Sequence, residues 1–426
     1  MKAKNKIRLP FISMIAMLII SGMMLNAQDW PQWRGANRDG ISKETGLKLD
    51  WSTNKPPLSW TFRQAGSGFS APIIIGTTLY CQGAADGNDF AFALDTETGE
   101  LKWKQILGDL SVSHQNRGDG PRGSVTIDGD KLYLIRGAGQ LHCLSASDGK
   151  MLWQKDFKND FEGKMMSDWG YSESPLIDGN LVICSPGGDG GTLAALDKNN
   201  GAVVWRSKEL TDLATYSSPI VADVEGIRQY IQLTDKGVAG VATKDGKLLW
   251  KVEVPDFKMA VISSPVFFDN KVYVTSGYNA GCVLIKLTRA GDKCNAEKIY
   301  ANSNMVNHHG GVVLVNGYIY GYSDAQGWVC QDVKTGENIW NQRIKEVGKG
   351  SILAVDDRLL LFDMLTGVLA VVAASPDGWK EFGKMEIPER TEIQTADNQV
   401  WTHPVIANGK LYIRDHNLLF CFDLKK

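Results

Sequence analysis

"ALDTETGELKW", residues 93–103, decides how this chain is read. Close copies stand at 195–205 ("ALDKNNGAVVW") and at 330–340 ("CQDVKTGENIW"). The first copy rides on an alternating run, "FAFAL", crosses a short polar loop with glycine, and ends in an apolar run closed by Trp. Alternation marks a half-buried strand, and glycine supplies the positive φ that a short hairpin loop needs. The segment therefore reads as a β-hairpin. Its Trp is expected to pack between neighbouring units and not to bind a ligand.

Counting copies sets the architecture. Trp60, Trp103, Trp153, Trp205, Trp250 and Trp340 hold one register; Asn295 is expected to fill the missing place before Trp340, and Phe382 the place after it. The spacing is roughly 46 residues, a period typical of propeller blades. A second hairpin recurs upstream in most copies, as in "VTIDGDKLYLI" and "PVIANGKLYI", with Asp-Gly or Asn-Gly at the turn. That makes four strands per copy.

The last copy, "LLFCFDLKK", ends before any Trp strand, while the first Trp strand, around Trp60, lacks a preceding partner. The expected fold is an all-β, eight-bladed propeller of four-stranded antiparallel blades, closed by the N-terminal strand so that no sheet edge stays open there. It should occupy 51–426 as one domain, with 28–50 as an extension packing on it.

Residues 1–27 read as a secretory signal peptide: Lys2, Lys4, Lys6 and Arg8 precede an apolar run over 9–25, and Ala27 suits a cleavage site. A periplasmic or secreted protein follows, with no stable membrane anchor after cleavage. Losing those four basic residues takes the net charge from −2 to −6. No Lys/Arg run remains, so nucleic acid is not an expected partner. Export also removes the chain from cytoplasmic NAD and ATP, and no P-loop or strand-linked GxGxxG is present.

The seven cysteines do not read as a disulfide framework. Cys143, Cys330 and Cys421 occupy the repeat position that holds Ala93, Ala195 or Gly240 elsewhere, and Cys81 and Cys184 follow apolar runs, so they read as small buried groups. Only Cys282 and Cys294 are left as a possible pair.

The "ALDxxTGxxxW" repeat resembles the pyrroloquinoline quinone (PQQ) repeat of quinoprotein alcohol dehydrogenases and of the outer-membrane assembly protein BamB. The leading "DWPQWRGANRDG" resembles the start of exported bacterial propellers of that kind. The resemblance covers nearly all of the mature chain. It implies the fold; activity has to be argued from the site.

In a propeller, ligands meet the channel mouth, built by the loops that lead into each inner strand. Here those loops carry His114, Arg117, Arg122, Trp169, Tyr171 and Glu173, then Tyr216, His308, His309, Trp401 and His403. Four of the six histidines fall there. His309, His403, Arg122 and Tyr171 are the candidate catalytic set; His114, Arg117, Trp169, Glu173, Tyr216, His308 and Trp401 are candidate ligand contacts. Glycine-rich "SPGGDGGT" (185–192) has no following helix to lend a phosphate its dipole and reads as a loop.

Three functions stay open. The resemblance implies PQQ held with calcium, but the chain has no adjacent cysteines, and calcium needs about six or more oxygens; Asp119, Asp168 and Glu173 could supply some. The histidines could hold a divalent metal, or serve with Arg122 and Tyr171 in proton abstraction on a carbohydrate. The third function is recognition alone: aromatic and Arg side chains on a rigid rim suit a protein or a glycan-like ligand. Departing from BamB, the chain has no lipid-accepting cysteine near residue 27. The favoured expectation is a monomeric binding scaffold, with the PQQ-dependent alcohol or sugar dehydrogenase and the carbohydrate lyase or hydrolase as alternatives.

Overall fold

A computed structural model of the chain describes residues 28–111, 120–395 and 398–425. The expected signal peptide, 1–27, lies outside them, as do His114, Arg117 and Asp119. Eight sheets stand around a channel; seven are built on four consecutive antiparallel strands, one of these with Ile41–Ser42 added in parallel, and the eighth takes its fourth strand from the N-terminal side. In chain order the innermost strands are Ile73–Ile75, Thr126–Asp128, Leu176–Asp178, Ile220–Val224, Val266–Phe268, Val312–Val315, Gly350–Val355 and Val405–Ala407. They head blades 1 to 8. The outermost strand of blade 8 is Leu58–Phe62, paired with Leu418–Asp423, so the N-terminal strand closes the ring.

The opening box is a socket. Asp95 Oδ1 accepts from the Glu97 and Thr98 amides, and the Gly99 amide donates back to the Asp95 carbonyl, which folds the turn on itself. Into that turn comes Trp60 of the preceding blade, whose Nε1 donates to the Thr96 carbonyl at 3.0 Å. Gly99 has φ 74°, and a Cβ there would stand 2.7 Å from the Trp60 ring. The same bond joins Trp103 to Ala146 O, Trp153 to Lys198 O and Trp205 to Thr243 O, always one blade on.

Within its own blade most of these Trp side chains lean on a tyrosine, as in Tyr80–Trp103, Tyr133–Trp153 and Tyr320–Trp340, with centroids 6.2, 6.1 and 6.0 Å apart, while Trp205 leans on Tyr230 of the next blade. The residue paired with the Trp on the intervening strand must be small. Ala93, Cys143, Ala195, Gly240, Cys330 and Cys421 stand there.

Two places in the repeat differ from expectation. In blade 5 the outer strands Gly281–Ala290 and Lys293–Asn302 are ten residues each, and the hairpin runs on where other blades turn. Asn295 pairs with Thr288 far out on it, and Tyr300 takes the Trp register, donating from its hydroxyl to Val333 O in blade 6. Without a socket to enter, Trp250 bonds Gln229 Oε1 of its own blade. In blade 7, Phe382 sits in a bulge under the Arg358 guanidinium at 3.6 Å. Beside it Gly383 lets the backbone of Trp51 approach, where a Cβ would stand 2.4 Å from the Trp51 carbonyl carbon. Residues 48–51 thus fill the seam between blades 7 and 8, through Trp51 N to Phe382 O and Lys48 N to Leu424 O.

All seven cysteines are free and buried. Cys282 pairs across from Asn302 and Cys294 from Arg289, at opposite ends of one long hairpin, so they cannot be bridged.

Residues 30–42 enter the channel and touch every blade. Trp30 exchanges two backbone bonds with Ile74 of blade 1, and Pro31 O accepts from Ile127 of blade 2. Arg38 donates to Ser174 O and Pro175 O of blade 3 and to Pro219 O of blade 4. Trp33 Nε1 reaches Ser264 Oγ of blade 5, and Arg34 reaches Val312 O of blade 6. Gly40 O accepts from Ala354 of blade 7, beside the parallel pair Ile41–Ala354, and Trp33 packs on His403 of blade 8 with centroids 4.6 Å apart. One end of the channel is therefore filled by the chain's own N-terminal segment.

Candidate functional site

The other end is built by the loops leading into the inner strands. Two are long: 157–175 before blade 3, which carries the short helix Phe157–Phe161, and 387–404 before blade 8. They bring Trp169 and Trp401 together, centroids 6.2 Å apart. Trp401 also meets Phe69 of the blade 1 loop at 4.8 Å and His309 of the blade 6 loop at 6.1 Å. A ring that touches the lead-in loops of blades 1, 3 and 6 from blade 8 stands over the axis, so this pair caps the mouth. Arg122 of the blade 2 loop sits 5.7 Å from the Trp169 ring and donates to its carbonyl. Tyr216 of the blade 4 loop shares a hydroxyl bond with Ser167, two residues before Trp169.

The histidines divide by exposure. His308 is half-buried: Lys349 Nζ donates to its Nδ1 at 2.7 Å and also pairs with Asp324 at 2.7 Å. A lysine has no acceptor, so Nδ1 accepts and the His308 proton is on Nε2. Tyr278 packs edge-on against it at 4.9 Å. His309 is 8% exposed; its Nε2 faces Met364 Sδ at 2.8 Å and its Nδ1 has no partner. His403 is 7% exposed, held between Trp33 and the His309 carbonyl. Burial pushes all three below the ordinary imidazole range, His403 to about 3. They stay neutral near pH 7.

Tyr171 and Glu173 belong to the blade 3 interior and not to the mouth surface. The Tyr171 hydroxyl donates to Pro186 O and its ring packs on Phe157 at 5.1 Å. Glu173 Oε1 accepts from the Ser185 amide at 2.6 Å, its Oε2 has no partner, and burial raises it to about 7 despite the charge of Arg38.

Sequence reading missed part of the mouth. Tyr278 and Met259 of blade 5 are 56% and 58% exposed, the largest exposed apolar groups there. Tyr278 holds φ 52° in a tight turn with Asn279 at φ 65°, a conformation unusual for a bulky residue. Phe69, Lys349 and Asp324 complete the rim, and His416, packed on Phe69 at 4.9 Å, is a further histidine in it. Only the solvent-facing Tyr in a "GYN" turn gave a signal that could have been read.

PQQ with calcium does not fit the described residues. Its oxygen ligands do not converge: Glu173 lies buried in blade 3 with one oxygen on Ser185, and among the described residues no three His, Cys, Asp or Glu converge on a metal position. The cysteines are in blade cores, and the channel interior is taken by Trp33, Arg34 and Arg38.

A family model described as outer membrane protein assembly factor BamB matches residues 91–342. The chain belongs to that family. It is a PQQ-repeat propeller of BamB-like type. It is 20% identical to BamB of Shewanella oneidensis over 362 residues, 78% of this chain and 79% of that one. It is 26% identical to a tetrathionate hydrolase of Acidithiobacillus ferrooxidans over 235 residues, 52% of this chain but only 44% of that protein. Among solved structures, BamB of Moraxella catarrhalis superposes with TM-score 0.61 at 16% identity, over 87% of this chain and 98% of that one. A quinohemoprotein alcohol dehydrogenase of Comamonas testosteroni gives 0.63 at 12% identity, over 93% and 80%. These two likenesses are of fold.

Proposed function

We propose that the chain is a binding scaffold, exported to the periplasm or beyond, whose channel-mouth face docks a protein partner. The observation that carries this reading is the cross-mouth contact of Trp169 with Trp401, flanked by exposed Tyr278 and Met259. Trp, Tyr, Arg and Met are the side chains enriched at protein interfaces. Rings already held by their neighbours lose little freedom on binding. Membership of the BamB family supports a protein as the partner. The enzyme alternatives draw no support from the mouth: His309 and His403 are buried, and the Tyr171 hydroxyl is already committed.

Photo-cross-linking in the producing cell tests the reading, with a photoreactive residue at Tyr278 or Met259 and, as control, at Lys293 on the far hairpin. One adduct of defined mass at the mouth sites, lost with Trp169→Ala or Trp401→Ala, is the expected result. Equal labelling at Lys293 would sink the proposal. So would quenching of the mouth tryptophans by an oligosaccharide with no protein adduct, which would make the ligand a glycan.

A further inference from the structure

Gly277, Tyr278, Asn279 and Ala280 form the turn at the mouth end of blade 5, and a tyrosine is the wrong residue for its shape. Tyr278 and Asn279 hold φ 52° and 65°, the pair of left-handed positions that a type I′ turn reserves for Gly, Asn or Asp. Backbone strain of this kind clusters at ligand sites. The turn is anchored: Ser276 Oγ donates to Ala260 O at 2.7 Å, and the Ala280 amide donates to Gly277 O. Gly277 lets it lie on blade 6, since a Cβ there would stand 2.9 Å from His308 Cα. The strained ring is thereby set edge-on against His308, with centroids 4.9 Å apart.

His308 is itself presented in one form. Lys349 Nζ occupies its Nδ1, so Nε2 carries the proton and can only donate. Lys349 gives a second hydrogen to Asp324 and keeps a third. No acceptor among the described residues takes the Nε2 hydrogen of His308, the hydroxyl hydrogen of Tyr278 or that third hydrogen of Lys349. Arg343 donates to the Asp324 and Ala325 carbonyls, so Asp324 does not leave this part of the rim negative. Free donors grouped around an ammonium suit an anionic oxygen acceptor, and hydrogen bonds to such an acceptor are the strong ones.

We propose that Tyr278, His308 and Lys349 form a carboxylate-binding subsite at the mouth, which takes an acidic side chain of the docked partner. The partner rests on the docking reading above; the carboxylate subsite does not.

The test uses the whole protein labelled with 15N-histidine and takes sodium acetate as the probe, in exchange for sodium chloride at constant ionic strength, with acetamide as the neutral control. His308→Gln assigns the His308 signals. The expected spectra show His308 protonated at Nε2 and a saturable shift of its signals in acetate but not in acetamide. That shift should be lost in Lys349→Met and weaken about tenfold in Tyr278→Ala. Photo-cross-linking through Met259 should fall about tenfold in His308→Ala and be kept in His308→Gln, whose amide N–H reaches towards the Nε2 position. A proton on Nδ1, or no response to acetate, would overturn the subsite. An adduct through Met259 that His308→Ala leaves unchanged would overturn its role in docking. No adduct in the parent protein, with the acetate response intact, would sink the docking reading and leave the carboxylate subsite standing.

Discussion

Trp169 and Trp401 meet at 6.2 Å although they rise from blades 3 and 8, three places apart round the ring. Two surface loops that touch over an axis restrain each other, and an aromatic pair adds about 0.5–1.5 kcal/mol beyond area burial. A double-mutant cycle with Trp169→Ala and Trp401→Ala should return a coupling of that size in urea unfolding. Each single variant should keep its β-sheet circular dichroism and lose partner capture. Strictly additive effects would mean that the cap is two independent side chains.

The Trp socket makes a sharper demand. Gly149 has φ 74°, and a Cβ on it would stand 2.6 Å from Trp103. Gly149→Ala therefore adds both backbone strain and a clash, and should cost about 2–3 kcal/mol. Trp103→Ala should cost about 3–5 kcal/mol. In Trp103→Ala the ring is gone, so the glycine substitution should then cost only its backbone share, about 1 kcal/mol. Denaturation of the four proteins checks this; equal cost in both backgrounds would refute the socket.

Residues that repeat were legible in the sequence, and residues that meet only once the ring closes were not. The hairpin, the eight-fold count, the closing strand and the small residue beneath each Trp all follow from local spacing. Tyr300 was hidden because the blade 5 hairpin is longer than the repeat, and a fixed period placed Asn295 in its stead. The plug was hidden for another reason. "DWPQWRGANRDG" has no periodicity, and its partners lie hundreds of residues away, as in Gly40 to Ala354 and Trp33 to His403. At the mouth, residue type singled out Trp169, Trp401 and His308, whose rings are linked through Trp169–Trp401, Trp401–His309 and His309–His308. It could not tell them from Tyr171 and Glu173, whose neighbours in the chain share that rim while their side chains turn into blade 3.

Titration with PQQ in calcium buffer should give flat heats. Glu173 is buried in blade 3, no ligand cluster is present among the described residues, and the plug fills the channel. Saturable binding near one equivalent, tighter than about micromolar, would contradict that geometry. It would demand that the plug withdraw.

Stability should depend on pH through two opposed sets of groups. Burial pushes His142 down to about 4 and His403 to about 3, and lowers His308, His309 and His416. A lowered histidine refuses in the fold a proton that the unfolded chain accepts near pH 6.5, so stability falls as pH drops from about 6.5 towards 4. Glu173 has the other sign. Burial raises it to about 7, so the fold holds a proton that the unfolded chain releases near pH 4.5, and stability falls as pH rises through that window. Burial raises Glu44 and Asp235 in the same sense as Glu173, but five histidines against three carboxylates still make acid the weaker side. Glu173→Gln keeps an acceptor for the Ser185 amide and removes the carboxylate, so it should stabilise by about 1–3 kcal/mol at pH 8. The gain should shrink towards pH 5, where Glu173 is already protonated in the fold. Urea unfolding at the two pH values reads the difference. A gain that grows at pH 5 would mean that Glu173 is ionised in the fold and paired with Arg38.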